Sequence, residues 1–225
     1  MNRSASIASW DGVWKNDLPY AQGDYRFFRG MEKISIINKF VPFIPGKKIL
    51  DVGCGAGQVC LILSKLFGLE SHGIDSSMTA VKSAQGMAQK WNANSTYSFG
   101  TAQETNYPDN FFDYSLNFGV LEHSDDPSID LRENYRVLQP GGWSIIVIPN
   151  AFSIGPIDRI VKQMFGKWPY GYQKEMTPSQ LSRLLKNCGF VDVLTFARTR
   201  NWTGQAIKIN KKFGWYLYAF ARKPS

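Results

Sequence analysis

Cysteine, histidine and long apolar runs are scarce in this chain. Its 225 residues include three cysteines and two histidines, and the cysteines, at positions 54, 60 and 188, have no C-x-x-C spacing. Such a set provides neither a disulfide framework nor a cysteine-type zinc site, so we expect reduced, structural cysteines and no metal. No apolar run of about 18 residues occurs, which argues against a transmembrane helix.

The first residues also lack the apolar segment of a secretory signal. The stretch MNRSASIASWDGVWKN has polar and charged residues throughout, whereas a signal peptide needs an apolar stretch of roughly 7 to 15 residues. We therefore expect a cytoplasmic protein. Acidic residues are fewer than basic ones, 18 against 26, and the resulting charge favours anionic partners. The basic residues are spread along the chain, however, and do not form the single block that is typical of a nucleic-acid-binding segment.

Short strand-like apolar runs alternate with helical patterns along the chain. KKILDVG, residues 47–53, is typical of a buried strand, and residues 58–67 follow with apolar positions at helical spacing. The same order recurs in LESHGID and the helical segment that Ser76 or Ser77 caps, and it continues to the β-branched run WSIIVIPN. These repeats predict an α/β fold: a doubly wound, mostly parallel sheet with helices on both faces.

The last quarter of the chain departs from the alternation. A helix is predicted from its signals: Thr177 as N-cap, Pro178 in the first turn, Gln180 in a capping box and Gly189 after the end. After it, FVDVLTFAR and GWYLYAFARK are two strand candidates with no helix between them, so we expect an antiparallel pair. The complete sheet would have seven strands, one of them antiparallel. A sheet of this kind binds its ligand at the carboxyl ends of the strands, beside the first strand.

Three alternating glycines follow the first predicted strand. Gly53, Gly55 and Gly57 allow a tight turn and bring backbone N–H groups close to a ligand at the start of a helix. The pattern G-x-G-x-G suits a nucleotide-like cofactor. The pattern G-x-G-x-x-G of dinucleotide enzymes would require a glycine at position 58, where this chain has Gln58, and the Gly-Lys-Ser/Thr of a P-loop does not follow. Asp75 ends the second strand 20 positions after Gly55, where a carboxylate can accept hydrogen bonds from ribose hydroxyls.

Four motifs together resemble the class I S-adenosylmethionine-dependent methyltransferases. They are ILDVGCGAGQ, GIDSS, YPDNFFDYSLNFGVLEH and LRENYRVLQPGGWSIIVIPN, and the similarity is dense from Lys47 to Pro149. The resemblance implies a Rossmann-like fold, the cofactor S-adenosyl-L-methionine and its product S-adenosyl-L-homocysteine. It is strongest toward the small-molecule branch, which includes enzymes of ubiquinone and menaquinone biosynthesis.

The resemblance also implies a set of cofactor-binding residues: Asp51, Gly53, Gly55, Gly57, Asp75, Ser76, Met78, Ala102, Gln103 and Asn117. Asp51 would anchor the loop and the amino group, Asp75 the ribose, and the backbone carbonyl of Asn117 the methionine ammonium.

The adenine contacts that the resemblance implies depart from the usual pattern at one position. Ser76 and Met78 would border the adenine, with Ala102 and Gln103 on its other side. Many relatives carry an acid before that alanine, whereas this chain has Thr101, for which Gln103 would compensate. Met78 has an alternative interpretation as an ordinary helix contact.

Methyl transfer to a hydroxyl or an acidic carbon requires removal of a proton. His72 lies inside the second predicted strand, LESHGID. His123 follows the fourth predicted strand, FFDYSLNFG, near the expected cofactor pocket. His123 is therefore the candidate catalytic base, since a histidine titrates close to neutral pH. The alternative is that the Glu-His pair only caps a helix, as it does in relatives of varied chemistry.

Two chemistries on nucleic-acid bases lack their residues here. The fourth predicted strand ends in NFGV and not in an Asn/Asp-Pro-Pro-aromatic turn, and no cysteine follows a proline. We therefore expect an O- or C-methyltransferase for a small, hydrophobic or aromatic acceptor. The alternatives are an RNA or protein methyltransferase, whose signature would be a contiguous basic surface, and a non-catalytic module that binds the cofactor without turnover.

Two segments outside the cofactor motifs are expected to determine the acceptor. The first is rich in aromatic residues that could stack on a flat substrate: Trp10, Trp14, Tyr20, Tyr25 and Phe28. The second, residues 154–168, is a basic amphipathic stretch with two interpretations, a helix that contacts an anionic membrane or a lid helix whose apolar face packs on the core or substrate. We expect one methyltransferase domain, residues 1–225, divided into an N-terminal lid (1–45), a cofactor-binding core (46–150), a lid insertion (151–176) and a C-terminal helix and hairpin (177–225).

Overall fold

The computed structural model describes residues 10, 14, 25–198, 209–210 and 213–225. The α-helices in these residues are α1 (Tyr25–Phe40), α2 (Gln58–Phe67), α3 (Met78–Trp91), α4 (Pro127–Val137), α5 (Gly155–Met164) and α6 (Pro178–Asn187). None of these helices is long and apolar enough to cross a membrane. The strands are β1 (Lys48–Val52), β2 (Glu70–Asp75), β3 (Ser95–Phe99), β4 (Phe112–Phe118), β5 (Leu138–Pro149), β6 (Val191–Arg198), β7 (Ile209–Asn210) and β8 (Tyr216–Arg222).

All the described strands form one sheet, in the order β3-β2-β1-β4-β5-β8-β6-β7. Strands β1 to β5 run parallel to one another, and β8 runs antiparallel between β5 and β6. The predicted mostly parallel sheet with a reversed strand is confirmed, although the described sheet has eight strands and not seven. The sequence analysis missed β7, a two-residue strand at the edge that pairs with the end of β6.

The helix termini follow the local signals of the sequence. The Ser77 hydroxyl accepts a hydrogen bond from the Ala80 N–H at the start of α3, so Ser77 and not Ser76 is the N-cap. Thr177 and Gln180 form the complete capping box of α6, and Gly68 ends α2 in the left-handed conformation, φ 66°. Each of these contacts satisfies backbone groups that a helix end leaves unpaired.

Strand β5 begins earlier than the sequence pattern indicates. We expected it to start at Trp143, after the QPGG turn, but Leu138 already pairs with Phe112 of β4, and the register shifts before the strand resumes opposite Tyr114. A β-bulge accommodates the proline and the glycines within the strand. The strand therefore contains residues that by themselves favour a turn.

Helices cover both faces of the sheet, as predicted. Successive residues of the buried strands point to opposite faces: Ile145 belongs to the cluster with Ile37 of α1 and Ile62 of α2, whereas Ile146 belongs to the cluster with Leu185 of α6. Helices α1, α2 and α3 therefore lie on one face, and α4 and α6 on the other. Strand β1 sits between β2 and β4, which is the switch point where a crevice opens at the carboxyl ends of the strands.

Helix α5 does not pack its apolar face on the core in the described structure. The helix has no buried residue, and Ile157 is 64% exposed and Met164 78% exposed. The interpretation as a lid over a bound substrate stays a prediction, as does membrane contact.

Candidate active site

A large cavity lies at the carboxyl ends of β1, β2 and β4. Its volume is about 1010 Å³, and its wall includes the terminal residues of these strands, Val52, Asp75 and Phe118. Pockets for one small molecule measure roughly 300 to 1,000 Å³. The cavity is thus large enough for a nucleoside-sized cofactor with a second small molecule beside it.

Eight of the eleven residues that the sequence analysis selected line this cavity: Asp51, Gly53, Gly55, Asp75, Ser76, Ala102, Gln103 and His123. The other three lie elsewhere in the described structure. Met78 begins α3 and is 45% exposed, and the buried Asn117 uses its side-chain oxygen to accept a hydrogen bond from the Leu121 N–H. A Cβ on Gly57 would lie 2.7 Å from the Ala84 Cβ, so this glycine permits α2 and α3 to pack closely.

The loop after β1 requires glycine at the positions that face the cavity. Gly53 and Gly55 have positive φ angles of 73° and 53°, which residues with a side chain rarely adopt. A Cβ on Gly53 would overlap Val120, and one on Gly55 would overlap the ring of Trp14. The backbone of this loop therefore forms part of the cavity wall itself.

Asp75 is held in a fixed orientation at the end of β2. One carboxylate oxygen accepts a hydrogen bond from the Gly55 N–H at 2.9 Å, and the other from the Ser77 N–H at 2.8 Å. These two backbone hydrogen bonds fix both oxygens of the carboxylate at the edge of the cavity. The side chain thus links the glycine loop to the second strand and also lines the cavity.

Asp51 is a buried acid beside the same loop. It is 2% exposed, and burial, with a smaller contribution from the charge of Asp75, raises its pKa to about 7. The Cys60 thiol lies 3.9 Å from one of its oxygens. A cationic group bound in the cavity would stabilise the ionised form of Asp51, because it would offset both burial and the neighbouring charge.

Three buried polar atoms in the cavity wall have no hydrogen-bond partner within the described structure. They are Nε2 of Gln58, a donor, the hydroxyl oxygen of Ser124, and Oδ2 of Asp130, an acceptor. The other oxygen of Asp130 accepts a hydrogen bond from the Gln103 amide at 2.7 Å, and the Ser124 hydroxyl interacts with the same carboxylate. A nucleoside that carries an amino acid, such as S-adenosylmethionine, has carboxylate, ammonium, ribose hydroxyl and purine amino groups, which match a buried donor, two acids and a buried acceptor. The residues present therefore fit this cofactor.

Sequence reasoning missed Asp130, although the chain holds a signal for it. Asp130 occupies the buried stripe of α4 together with Leu131, Asn134 and Val137. A charged residue at such a position is costly unless it is paired. It therefore indicates a polar function, and here Asp130 supplies the acid near Gln103 that Thr101 does not.

His123 lies in the 3₁₀ turn Leu121–His123, directly after β4, and lines the cavity. Its Nδ1 is within hydrogen-bond distance of the Tyr172 carbonyl. A carbonyl only accepts hydrogen bonds, so Nδ1 carries the proton and Nε2 is a free acceptor. Burial lowers the pKa of His123 below its usual value, which keeps the imidazole neutral near pH 7. Trp10 contacts its ring edge-on, with centroids 5.2 Å apart.

Lys33 and Glu122 are further charged residues that sequence reasoning missed. Lys33 of α1 lines the cavity, and its Nζ lies 5.2 Å from the ring centroid of Phe118. Glu122 is buried beside Gly119, and burial raises its pKa to about 8. Glu122 lies beside the wall residue Gly119 and does not itself line the cavity. Lys33 belongs to a segment whose pattern indicates only a helix, so its approach to the cavity depends on tertiary packing.

His72 does not line the cavity. It contacts Glu70 and Thr96 through its two ring nitrogens, at 3.0 and 2.8 Å. The cysteines are free thiols, and one of them, Cys54, lines the cavity. Among the described residues, no group of three or more His, Cys, Asp or Glu side chains could hold a metal ion.

Comparison with known proteins identifies the central part of the chain. Residues 50–146 match the family model described as a methyltransferase domain. These residues form a methyltransferase domain. They contain the glycine loop, Asp75 and the turn that carries His123. Other parts of the cavity wall, such as Lys33 and Tyr172, lie outside the matched residues.

Two curated proteins are similar to this methyltransferase domain and its neighbouring residues. Ajmaline N-methyltransferase of Rauvolfia serpentina is 36% identical over 126 residues, 54% of this chain and 43% of that protein. Ubiquinone biosynthesis O-methyltransferase of Maricaulis maris is 31% identical over 152 residues, 64% of this chain and 59% of that protein. The chain thus spans about half the length of these relatives.

The fold matches that of a solved methyltransferase. Phosphoethanolamine N-methyltransferase 2 of Haemonchus contortus, solved with phosphomonomethylethanolamine and S-adenosylhomocysteine, has a TM-score of 0.69 at 18% identity, over all of this chain and 59% of that one. The expected Rossmann-like fold of the class I S-adenosylmethionine-dependent methyltransferases is therefore confirmed.

Proposed function

We propose that this protein is an S-adenosylmethionine-dependent methyltransferase that transfers a methyl group to oxygen or carbon of a small, hydrophobic or aromatic acceptor. The observation that carries the proposal is a single cavity in which the glycine loop, two acids and a neutral histidine meet, inside a methyltransferase domain. The volume of about 1010 Å³ supports a site for two molecules side by side.

The cofactor supplies an activated methyl group on a sulfonium, and this chain's residues bind and orient it. Asp75 accepts hydrogen bonds from the ribose, and Asp51 interacts with the ammonium group. The glycines of the loop give backbone contact with the methionine and ribose portion. Two of the selected residues act from behind the cavity wall: Gly57 allows the close helix packing, and Asn117 supports the turn after β4.

The adenine end of the cavity is assigned to a second group of residues. Ser76, Ala102 and Gln103 border the ring, and Met78 approaches it from the start of α3. Asp130 accepts a hydrogen bond from the purine amino group, because its second oxygen is buried in the wall next to Gln103.

His123 is the proposed catalytic base. Its Nε2 accepts the proton of the acceptor hydroxyl or acidic carbon, while the Tyr172 carbonyl holds the proton on Nδ1 and so fixes the tautomer. Trp10 and Trp14 line the same cavity and exclude water from the reacting atoms. Tyr20 lies outside the described residues, as do the side chains of Tyr25 and Phe28.

The surroundings of the site support a small acceptor. Aromatic side chains of Trp10, Trp14, Tyr170 and Tyr172 line the cavity, and the curated relatives are named for ajmaline and for ubiquinone biosynthesis. We assign the whole chain to one domain with the four divisions expected from the sequence and place it in the cytoplasm. The expected peripheral membrane contact through residues 154–168 does not depend on the proposed activity.

Calorimetric titration of the purified protein with S-adenosylmethionine, S-adenosylhomocysteine and NAD tests the cofactor assignment. We expect binding of the first two and none of NAD.

The Asp75→Ala variant should bind S-adenosylhomocysteine more weakly by about 1 to 3 kcal/mol, since it loses charged hydrogen bonds, whereas Glu32→Ala, on the exposed side of α1, should bind normally. Unchanged affinity in Asp75→Ala would contradict the ribose assignment, and binding of NAD alone would contradict the proposed function.

A further inference from the structure

Helix α5 is attached to the protein through its polar side. Arg159 donates two hydrogen bonds to the Glu175 carboxylate, at 2.7 and 3.1 Å, and a third to the Gln163 side chain. The Glu175 side chain is only 7% exposed, so this ion pair is largely withdrawn from water. An amphipathic helix on a globular protein normally turns its apolar stripe to the core, and α5 does the reverse.

The apolar stripe of α5 consequently faces solvent. Its members are at helical spacing and 46 to 78% exposed: Ile157, Ile160, Val161 and Met164. Residues at both ends of the helix extend the patch, with exposures of 48 to 71%: Phe152, Ile154 and Phe165. No other described element buries this surface, which we call the α5 patch. A contiguous apolar surface of this kind marks an interaction site.

The α5 patch lies in a basic stretch of the chain. Residues 152–174 contain four basic residues and one acidic residue, which gives this stretch a net charge of +3. The side chains of Lys162, Lys167 and Lys174 are exposed.

The α5 patch lies near the edge of the sheet where the parallel strands end. Arg198, at the end of β6, pairs with Tyr216 of β8, and Tyr216 pairs with Pro149 at the end of β5. The rings of Phe152 and Phe213 are 6.1 Å apart, so Phe213, which is 58% exposed, extends the patch.

We propose that the α5 patch docks on the surface of an anionic lipid bilayer. An exposed apolar stripe flanked by basic residues is the pattern of a helix that lies in a membrane interface, with its apolar face buried about 5 to 10 Å deep. A second copy of this chain is a poorer occupant, because two like-charged segments would face each other. The α5 patch therefore fits a surface of opposite charge.

Docking in this way connects the membrane to the proposed active site. Tyr170 and Tyr172 follow α5 directly in the chain and line the cavity, and the Tyr172 carbonyl contacts His123. A lipophilic acceptor could enter the cavity from the bilayer without crossing water. This role of the docking rests on the proposed function, whereas the docking itself does not.

Vesicle flotation of the full chain tests the inference without cofactor or acceptor. We expect binding to vesicles of phosphatidylcholine with phosphatidylglycerol, at least about tenfold weaker binding to phosphatidylcholine alone, and a decrease at high salt. The double variant Met164→Asp/Phe165→Asp should bind at least about tenfold more weakly. Leu66→Asp is the matched control: Leu66 is 56% exposed on α2, away from the α5 patch, and its replacement should leave vesicle binding unchanged.

Three outcomes would overturn the inference. They are no binding to anionic vesicles, binding that Leu66→Asp weakens as much as the double variant does, and a dimer in light scattering that dissociates in the double variant. Titration of each variant with S-adenosylhomocysteine shows that it is folded and separates the two proposals. Vesicle binding without cofactor binding would contradict only the proposed function, and the reverse only the docking.

Discussion

Asp51 shows how a single side chain can cost stability at a site of function. A buried carboxyl next to a second buried acid, with a thiol 3.9 Å away and only a smaller favourable contribution from the charge of Lys33, is a poor choice for a folded core. It is a good choice for a pocket that receives a cation, since the bound charge offsets burial and repulsion. The apparent defect of the free protein is therefore consistent with the proposed ligand.

The Asp51→Asn variant should be more stable than the wild type at pH 8. The folded pKa of Asp51, about 7, lies above the usual value of 3.8, so the contribution of Asp51 to stability is fully present below pH 3.8 and is lost as the pH rises through 7. The neutral amide avoids this loss, and the free energy of unfolding should increase by roughly 3 to 4 kcal/mol at pH 8, with little difference near pH 4.

Urea unfolding at both pH values, together with calorimetry, checks this prediction. Affinity for S-adenosylmethionine should fall in Asp51→Asn, whereas Asp192→Asn, an exposed acid on β6, should change neither quantity by more than about 0.5 kcal/mol. A variant that is no more stable than the wild type at pH 8 would show that the folded protein does not disfavour the ionised form of Asp51.

His123 predicts a pH profile as well as a mutational effect. Because burial lowers its pKa below 6.5, the neutral base persists at neutral pH, and turnover should decline only on acidification, with a midpoint below 6.5. His123→Ala should reduce kcat about 10²- to 10⁴-fold and abolish this decline. Its Kd for S-adenosylhomocysteine should stay the same. Full turnover in the variant would remove His123 from the mechanism and favour a structural role for the Glu-His pair.

At the scale of single elements, local signals predicted where helices begin and end, but not the extent of β5 or the existence of β7. Ser77, Thr177 and Gly68 cap helices through contacts within a few residues, so the sequence contains all the partners involved. The first residue of β5 instead depends on Phe112, 26 positions away, which offers a strand to pair with Leu138. Pairing with a distant strand overrides the turn preference of QPGG.

Replacement by alanine should change the stability of the protein in opposite directions at two glycines. Gly86 lies within α3, and a Cβ there meets no atom within 4 Å, so Gly86→Ala should stabilise the protein by about 0.5 to 1 kcal/mol. Gly57 has φ +81°, and its Cβ would lie 2.7 Å from Ala84 and 2.8 Å from Tyr97. Gly57→Ala should therefore destabilise by at least about 1 to 3 kcal/mol. Urea unfolding of the two variants side by side measures both effects; equal shifts of the same sign would show that φ and packing at Gly57 are not constraining.

At the scale of the whole molecule, cofactor binding and global stability should be linked. The cavity is formed by segments as distant in the chain as Lys33 and Tyr172, so a ligand in it holds together parts that separate on unfolding. A ligand present at 100 times its Kd stabilises by about 2.7 kcal/mol, which for a protein of this size raises Tm by roughly 5 to 10 °C.

Differential scanning fluorimetry with S-adenosylhomocysteine, at a concentration set from the calorimetric Kd, measures the linkage. NAD at the same concentration is the control and should leave Tm unchanged. A Tm that does not move although calorimetry shows saturation would mean that the ligand binds the unfolded chain as well, or that the cavity opens before the core unfolds.

The sequence alone was sufficient for the α/β alternation, the reversed strand, the glycine loop and the eight selected residues that line the cavity. Periodicity and glycine placement are local properties, and the parallel sheet that they imply brings the strand ends together. Only the tertiary structure decided that Asp130 and Lys33 line the same cavity, and that α5 turns its apolar stripe to solvent. The physical reason is that these features depend on partners distant in the chain: Arg159 on the polar side of α5 pairs with Glu175, and an amphipathic pattern is the same whichever way the helix faces.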